Sequence, residues 1–237
     1  EEQARHQRTS FWLALGILPL LVAAHSTLGF IFGIQAGRPG WFSALQAPGF
    51  VVMAGVSGTG IIIVIAALLR KVLGTGEQLG MATFKWLSNF LMVLTLAYLN
   101  FQIVEWLTSS YAPHSAEART FSAVLSGDYA GVFWLSIAML IASALILFLQ
   151  FASRRYSLWL MVLAGILVNL AAIGKRVLVV VPSQTHGTLL PYGVGSYRAT
   201  WVEYGVILGL VALGAILYVV FMKVFPIMQV SPSKGGE

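Results

Sequence analysis

Six blocks of apolar residues alternate with short polar breaks along the chain. They run over about Phe11–Ile34, Gly49–Leu69, Phe84–Leu107, Tyr129–Ala152, Tyr156–Val181 and Trp201–Phe225. About 20 apolar residues in a helix cross a hydrocarbon core about 30 Å thick, so each block is long enough to span a bilayer. In lipid every backbone polar group must be bonded within the segment, which favours helices. The pattern predicts an all-α polytopic transmembrane bundle of about six helices over residues 11–225. Segments 1–10 and 226–237 flank it and fall on one side of the membrane.

The breaks differ in character. Leu73–Gly80 and Ser153–Arg155 are short, whereas Gly37–Pro48, Ser109–Asp128 and Pro182–Thr200 are longer and rich in Pro, Gly, Tyr and Trp. With six spans the short breaks share a side with both termini. That side carries Arg5, Arg8, Arg70, Lys71, Lys85, Arg154, Arg155, Lys223 and Lys234; the loops of the other carry Arg38, Arg119 and Arg198. The excess of cations on one side places both termini in the cytoplasm of an inner (plasma) membrane.

Composition narrows the classes further. Residues are 58% hydrophobic and only 9% charged, against about 25% charged in a soluble domain. The net charge of +6 is explained by topology, and no basic stripe interleaved with aromatics points to nucleic acid. There are no cysteines, so the chain supplies no thiolate for an iron–sulfur cluster. The chain opens on Glu1 with the polar run EEQARHQRTS, which lacks the form of a signal peptide. An upstream segment, processed away, disordered or separately encoded, is therefore expected.

Small residues at spacing four (Gly29, Gly33 and Gly37; Gly205 and Gly209) are expected to be packing seams between helices. Ionisable residues inside spans are costly and mark function or a compensating partner. Here they are His25, Glu105, Lys175, Arg176 and Glu203, with Asp128 at the entrance to the fourth span. By depth, all but His25 gather just beneath the loop-rich surface. Gln102 lies three residues before Glu105, Asn100 is close by, and Asn169 lies two turns before Arg176. These groups are expected to form one polar cluster, with His25 and Glu105 as proton-transfer candidates. The same residues also suit a buried salt-bridge network that only neutralises itself. A bilayer b-type haem usually takes two histidines. Only His25 lies within a span, so no haem is expected and no metal site is assigned.

Four stretches carry a family resemblance: HSTLGFIFGIQAGRPGWFSALQAPGF (25–50), ALLRKV after Ser57-Gly58, YLNFQIVEWLTSSYA (98–112), and GKRVLVVVPSQTHGTLLPYGVGSYRATWVEYG (174–205). In order and spacing they resemble the NrfD-like family. That family includes the membrane subunits of polysulfide reductase (PsrC), of a sulfite-reduction complex (DsrP) and of alternative complex III (ActC and ActF). The likeness is to the C-terminal part of the family fold, with Ala199 where proline is usual. It implies a membrane subunit that exchanges electrons between menaquinone or ubiquinone and a peripheral four-cluster ferredoxin-like iron–sulfur subunit. Molybdopterin or cytochrome c subunits would lie beyond. It places the principal quinone ligands in an N-terminal bundle, and leaves His25, Glu105, Arg176 and Glu203 as polar residues of the second bundle. The loops bearing Trp41, His186 and Tyr192 are then expected to dock the partner, or to form an interfacial aromatic belt.

Two other classes stay open. A structural anchor of such a complex would need no quinone site of its own. A secondary transporter or channel would also explain intramembrane charge, although no inverted repeat is evident.

Overall fold

The structure, a computed structural model, describes residues 2–72, 79–111, 116–186, 195 and 197–224. It is helical, with no strand among the described residues. The helices are α1 (Glu2–Gly33), α2 (Gln46–Val72), α3 (Met81–Ser110), α4 (Ala116–Ser126), α5 (Ala130–Ser153), α6 (Leu158–Thr185) and α7 (Trp201–Val224). All but α4 are long and apolar enough to cross a membrane, as the six apolar blocks require. The chain is a multi-pass membrane protein.

Helix α4 is the addition to the expected pattern. It lies inside the connection read as Ser109–Asp128, and at 11 residues it is too short to span. Its apolar Phe121, Val124 and Leu125 recur at helical spacing. Its 11 residues, about half of them polar, set it apart from the six apolar blocks.

The chain divides into two compact units, Glu1–Gly195 and Ser196–Glu237. In the first, α2, α3, α5 and α6 pack around a shared core and α1 packs on α2. Val56, Ile63, Phe84, Leu91, Leu140, Leu147, Met161 and Val168 fill the centre of this bundle, each 2% exposed or less. Water does not drive helices together in lipid, so close backbone approach and interhelical bonds must do more. The α2–α6 contact shows this. A Cβ added at Gly60 would lie 2.7 Å from Val168 and 3.0 Å from the Gly165 carbonyl. Between α5 and α6, Ser143 Oγ donates to the Ala164 carbonyl at 3.2 Å. Gly29 and Gly33 serve α1 in the same way, facing the backbone of Ala47 and Ser43 at 2.5 and 2.7 Å from where a Cβ would sit. The second unit contains α7, which is apolar along its length with Glu203 in its first turn.

Within the first unit the two ends of the bundle differ. At the near end, four residues (154–157) join α5 to α6. At the far end lie the α1–α2 connection, α4, and the termini of α3 and α6.

Candidate functional site

The far end holds a partly open cavity of about 350 Å³. One wall is the α1–α2 connection, from Pro39 to Gln46. The others come from the end of α3 (Gln102, Glu105, Trp106), from α4 (Thr120, Phe121, Val124), from Phe133 on α5, and from Lys175, Leu178, Pro182 and Ser183 on α6. The connection is held in place by its own chemistry. Gly40 has φ +79, a left-handed conformation that glycine takes without penalty. Its carbonyl accepts a bond from Gln46 Nε2 at 3.2 Å. Trp41 then pins the loop to α6, its indole N–H donating to the Val179 carbonyl. The same ring meets Phe32 edge-on at 4.7 Å, and the Arg38 guanidinium lies 6.0 Å from its centroid.

Three polar side chains form a bonded row on the cavity wall. Lys175 Nζ donates to Gln102 Oε1, and Gln102 Nε2 donates to Glu105 Oε2 at 2.9 Å. Both bonds require the same orientation of the Gln102 amide, so ammonium, amide and carboxylate are ordered by polarity. The i, i+3 spacing of Gln102 and Glu105 puts them on one face of α3; Lys175 reaches them from α6. Its Nζ also lies 5.6 Å from the Phe133 centroid, a cation–π distance. Also on α6, the buried Ser183 hydroxyl has no hydrogen-bond partner among the described residues. Its neighbour Pro182, which has no N–H, deprives the Leu178 carbonyl of its usual helical donor. The cavity therefore has an ionisable pole, the Ser183 hydroxyl without a partner among the described residues, and aromatic walls from Phe42, Trp106, Phe121 and Phe133.

A second space of about 40 Å³ adjoins it, with room for a few water molecules. Gln46, Gln102, Glu105 and Lys175 line both, and Tyr98, Phe50 and Arg176 line only the smaller. Arg176 sits 4.4 Å above the Phe50 ring, whose other neighbour is Phe32 at 5.4 Å.

The expected polar residues thus part company. Gln102, Glu105 and Lys175 come together in one bonded row, with Arg176 on the wall of the adjoining space. His25 stays on α1, where Nδ1 bonds the Leu21 carbonyl at 2.8 Å, outside the lining of either cavity. Asn100 and Asp128 are exposed. Asn169 Nδ2 donates to the Gly165 carbonyl at 2.8 Å, beside the Gly60 contact. Glu203 belongs to the second unit, where its carboxylate accepts from Tyr197 and, at 3.0 Å, from Thr200. That bond pushes the Tyr197 phenol above its ordinary value, because the neutral form is the donor. His186 neighbours Thr185 (3.0 Å), whose hydroxyl lies 2.8 Å from Tyr129 Oη. Tyr192 lies outside the described residues.

Gln46, Phe121, Phe133 and Ser183 escape a reading of the sequence alone. Each is an ordinary residue of a span or loop, and only the packing of four elements turns it toward a common space. The run of Pro182 and Ser183 at the end of an apolar block was the one available signal.

Comparison with known proteins agrees with this architecture. The family model "Polysulphide reductase, NrfD" matches residues 3–187. A putative membrane component of dimethyl sulfoxide reductase from Halobacterium salinarum, the C subunit, is 28% identical over 98% of the chain and 58% of its own length. The C subunit of selenate reductase from Mesobacillus selenatarsenatis is 28% identical over 95% of the chain and 54% of its length. The Hdr-like menaquinol oxidoreductase integral membrane subunit of Archaeoglobus fulgidus is 28% identical over 87% and 55%. The chain spans little more than half the length of these relatives.

Proposed function

The chain belongs to the polysulphide reductase NrfD family, and on that premise we propose that it handles quinol or quinone for an oxidoreductase complex, with the headgroup seated in the far-end cavity. The observation that carries this reading is the bonded row Lys175–Gln102–Glu105 in the wall of an aromatic-lined cavity of about 350 Å³. A quinone headgroup is a flat apolar ring with two oxygen acceptors. Aromatic walls suit the ring, and the α3–α6 row suits one oxygen. The relatives support it, one of them being named as a menaquinol oxidoreductase subunit.

In this reading the row does two things. Lys175 and Gln102 donate hydrogen bonds that orient the ring oxygen. Glu105 accepts the proton released there, being within hydrogen-bond reach of the same amide and open to the smaller cavity. Oxidation of one quinol yields one quinone, two protons and two electrons. Glu105 carries the protons in turn to water in the smaller cavity. The electrons pass to a partner subunit of the four-cluster iron–sulfur class, with a molybdopterin or cytochrome subunit beyond it. The reverse direction uses the same groups. His25 keeps a proposed role as a second proton carrier, with Nδ1 held by Leu21 and Nε2 left to exchange. Trp41 and His186 lie on the far end, where the partner would dock. The cation bias puts both termini in the cytoplasm and this end on the opposite face of the plasma membrane.

The test is quinone titration of the purified chain, followed by quenching of Trp106 fluorescence with naphthoquinone and benzoquinone analogues. Lys175→Met is expected to weaken binding about tenfold, the loss of one charge-assisted bond worth about 1.5 kcal/mol. Glu105→Gln is expected to bind quinone yet slow proton-coupled turnover in the assembled complex. Wild-type binding and turnover in both variants would remove the proposal.

A further inference from the structure

The near end carries a second set of groups that the quinone reading does not use. Helix α6 starts at Leu158, and its cap residue Ser157 makes no side-chain capping bond. The first N–H groups of a helix have no partner within it, and they give that end a partial positive charge. The Ser157 N–H itself donates to Gln150 Oε1 at 2.7 Å. That places the Gln150 amide against the start of α6. Gln150 is only 4% exposed, yet its Nε2 is a buried donor without a partner among the described residues.

Three cations belong to the segments that meet here, and Arg154 lies 5.5 Å from the Phe151 centroid. Arg154 and Arg155 belong to the α5–α6 turn. Lys85 reaches over from α3, its Nζ lying 5.2 Å from the centroid of the Tyr156 ring. All three are exposed, and residues 79–90 and 150–160 carry no carboxylate; Glu77 of the α2–α3 connection lies outside the described residues. Tyr156 Oη donates to Asn89 Oδ1 at 3.2 Å, which turns the Asn89 amide nitrogen toward other acceptors. Arg154 has φ +56, the one positive value outside glycine among the described residues. A large cationic side chain occupies a backbone position that favours glycine. Exposed Trp86 and Trp159 mark this level as the membrane interface.

A helix N-terminus, a buried amide donor without a partner among the described residues and three exposed cations all favour an acceptor that carries negative charge. Because exposed Trp86 and Trp159 place this end at headgroup depth, we infer that the site binds the phosphate of an anionic phospholipid. Lys85 and Arg155 contact the phosphate oxygens from two elements, the α6 start supplies N–H donors, and the acyl chains lie along Trp86 and Trp159. The lipid ties α3 to the α5–α6 turn.

The experiment uses the full chain in nanodiscs of phosphatidylcholine with and without phosphatidylglycerol. Retained lipid is counted by native mass spectrometry, and thermal midpoints are measured in parallel. The wild type is expected to retain phosphatidylglycerol and to melt higher in its presence. Lys85→Gln and Arg155→Gln are each expected to lower retention about fivefold, the factor for about 1 kcal/mol per cation near a membrane surface. Lys85→Arg and the remote Arg38→Gln are expected to leave it unchanged. The inference is overturned if the double variant retains phosphatidylglycerol like the wild type, or if phosphatidylcholine is held equally well. It is also overturned if the wild-type midpoint ignores the anionic lipid, a readout that needs no variant to fold. Displacement by inorganic phosphate would identify free phosphate, and not a lipid, as the ligand.

Discussion

The two ends of the first unit are made from the same four helices and are built in opposite ways. At the near end α5 and α6 are joined by a turn of four residues, and the cations of that turn face outward. At the far end the connections are long and one of them folds into α4. There the helix termini splay around a cavity, and Glu105 and Lys175 are turned inward. The difference teaches that connection length governs where charge can be stored in such a bundle. A short turn holds the helix ends together and leaves charged side chains only the interface. A long connection supplies extra backbone and side chains, here Gly40, Phe42 and Gln46, that line a polar space beside the helix ends.

The comparison is broken most severely by forcing the helices apart between the two ends. Gly165→Leu would drive a side chain into the Gly60 carbonyl, which lies 2.8 Å from where a Cβ would sit. Backbone cannot yield as a side chain can, so the loss is expected at the upper limit of the usual overpacking range of about 1–3 kcal/mol. Thermal unfolding in detergent would show it, and Gly131→Leu, with nothing within 4 Å of its Cβ, should melt close to the wild type. A smaller effect sharpens the far-end argument. Trp41→Phe keeps an aromatic ring against Phe32 but removes the N–H that reaches Val179. It should cost about 0.5–1.5 kcal/mol and loosen the α1–α2 connection, read as faster hydrogen exchange over residues 37–46. The smallest effect belongs to the near end. Arg154→Gly relieves the positive φ and should stabilise the chain in neutral detergent by up to about 1 kcal/mol. In membranes rich in phosphatidylglycerol the gain should shrink or reverse, because a headgroup cation is lost.

Which residues span the membrane is decided by composition and order alone. A backbone in hydrocarbon has to bond within its own segment, so an unbroken apolar run of sufficient length has essentially one structure open to it. The i, i+3 pairing of Gln102 with Glu105 is settled just as locally, by the pitch of a helix. Tertiary structure decided the rest. Lys175 and Arg176 are neighbours in sequence and point about 100° apart on the helix. One enters the cavity and bonds Gln102, 73 residues away, while the other lies on Phe50. Local pattern cannot tell these apart, because the apolar face of a membrane helix does not announce its partner when lipid and protein are equally apolar. Only the packing of α6 between α2 and α5, set by Gly60 against Gly165 and by Ser143 on the Ala164 carbonyl, rotates one cation inward and leaves the other at the edge.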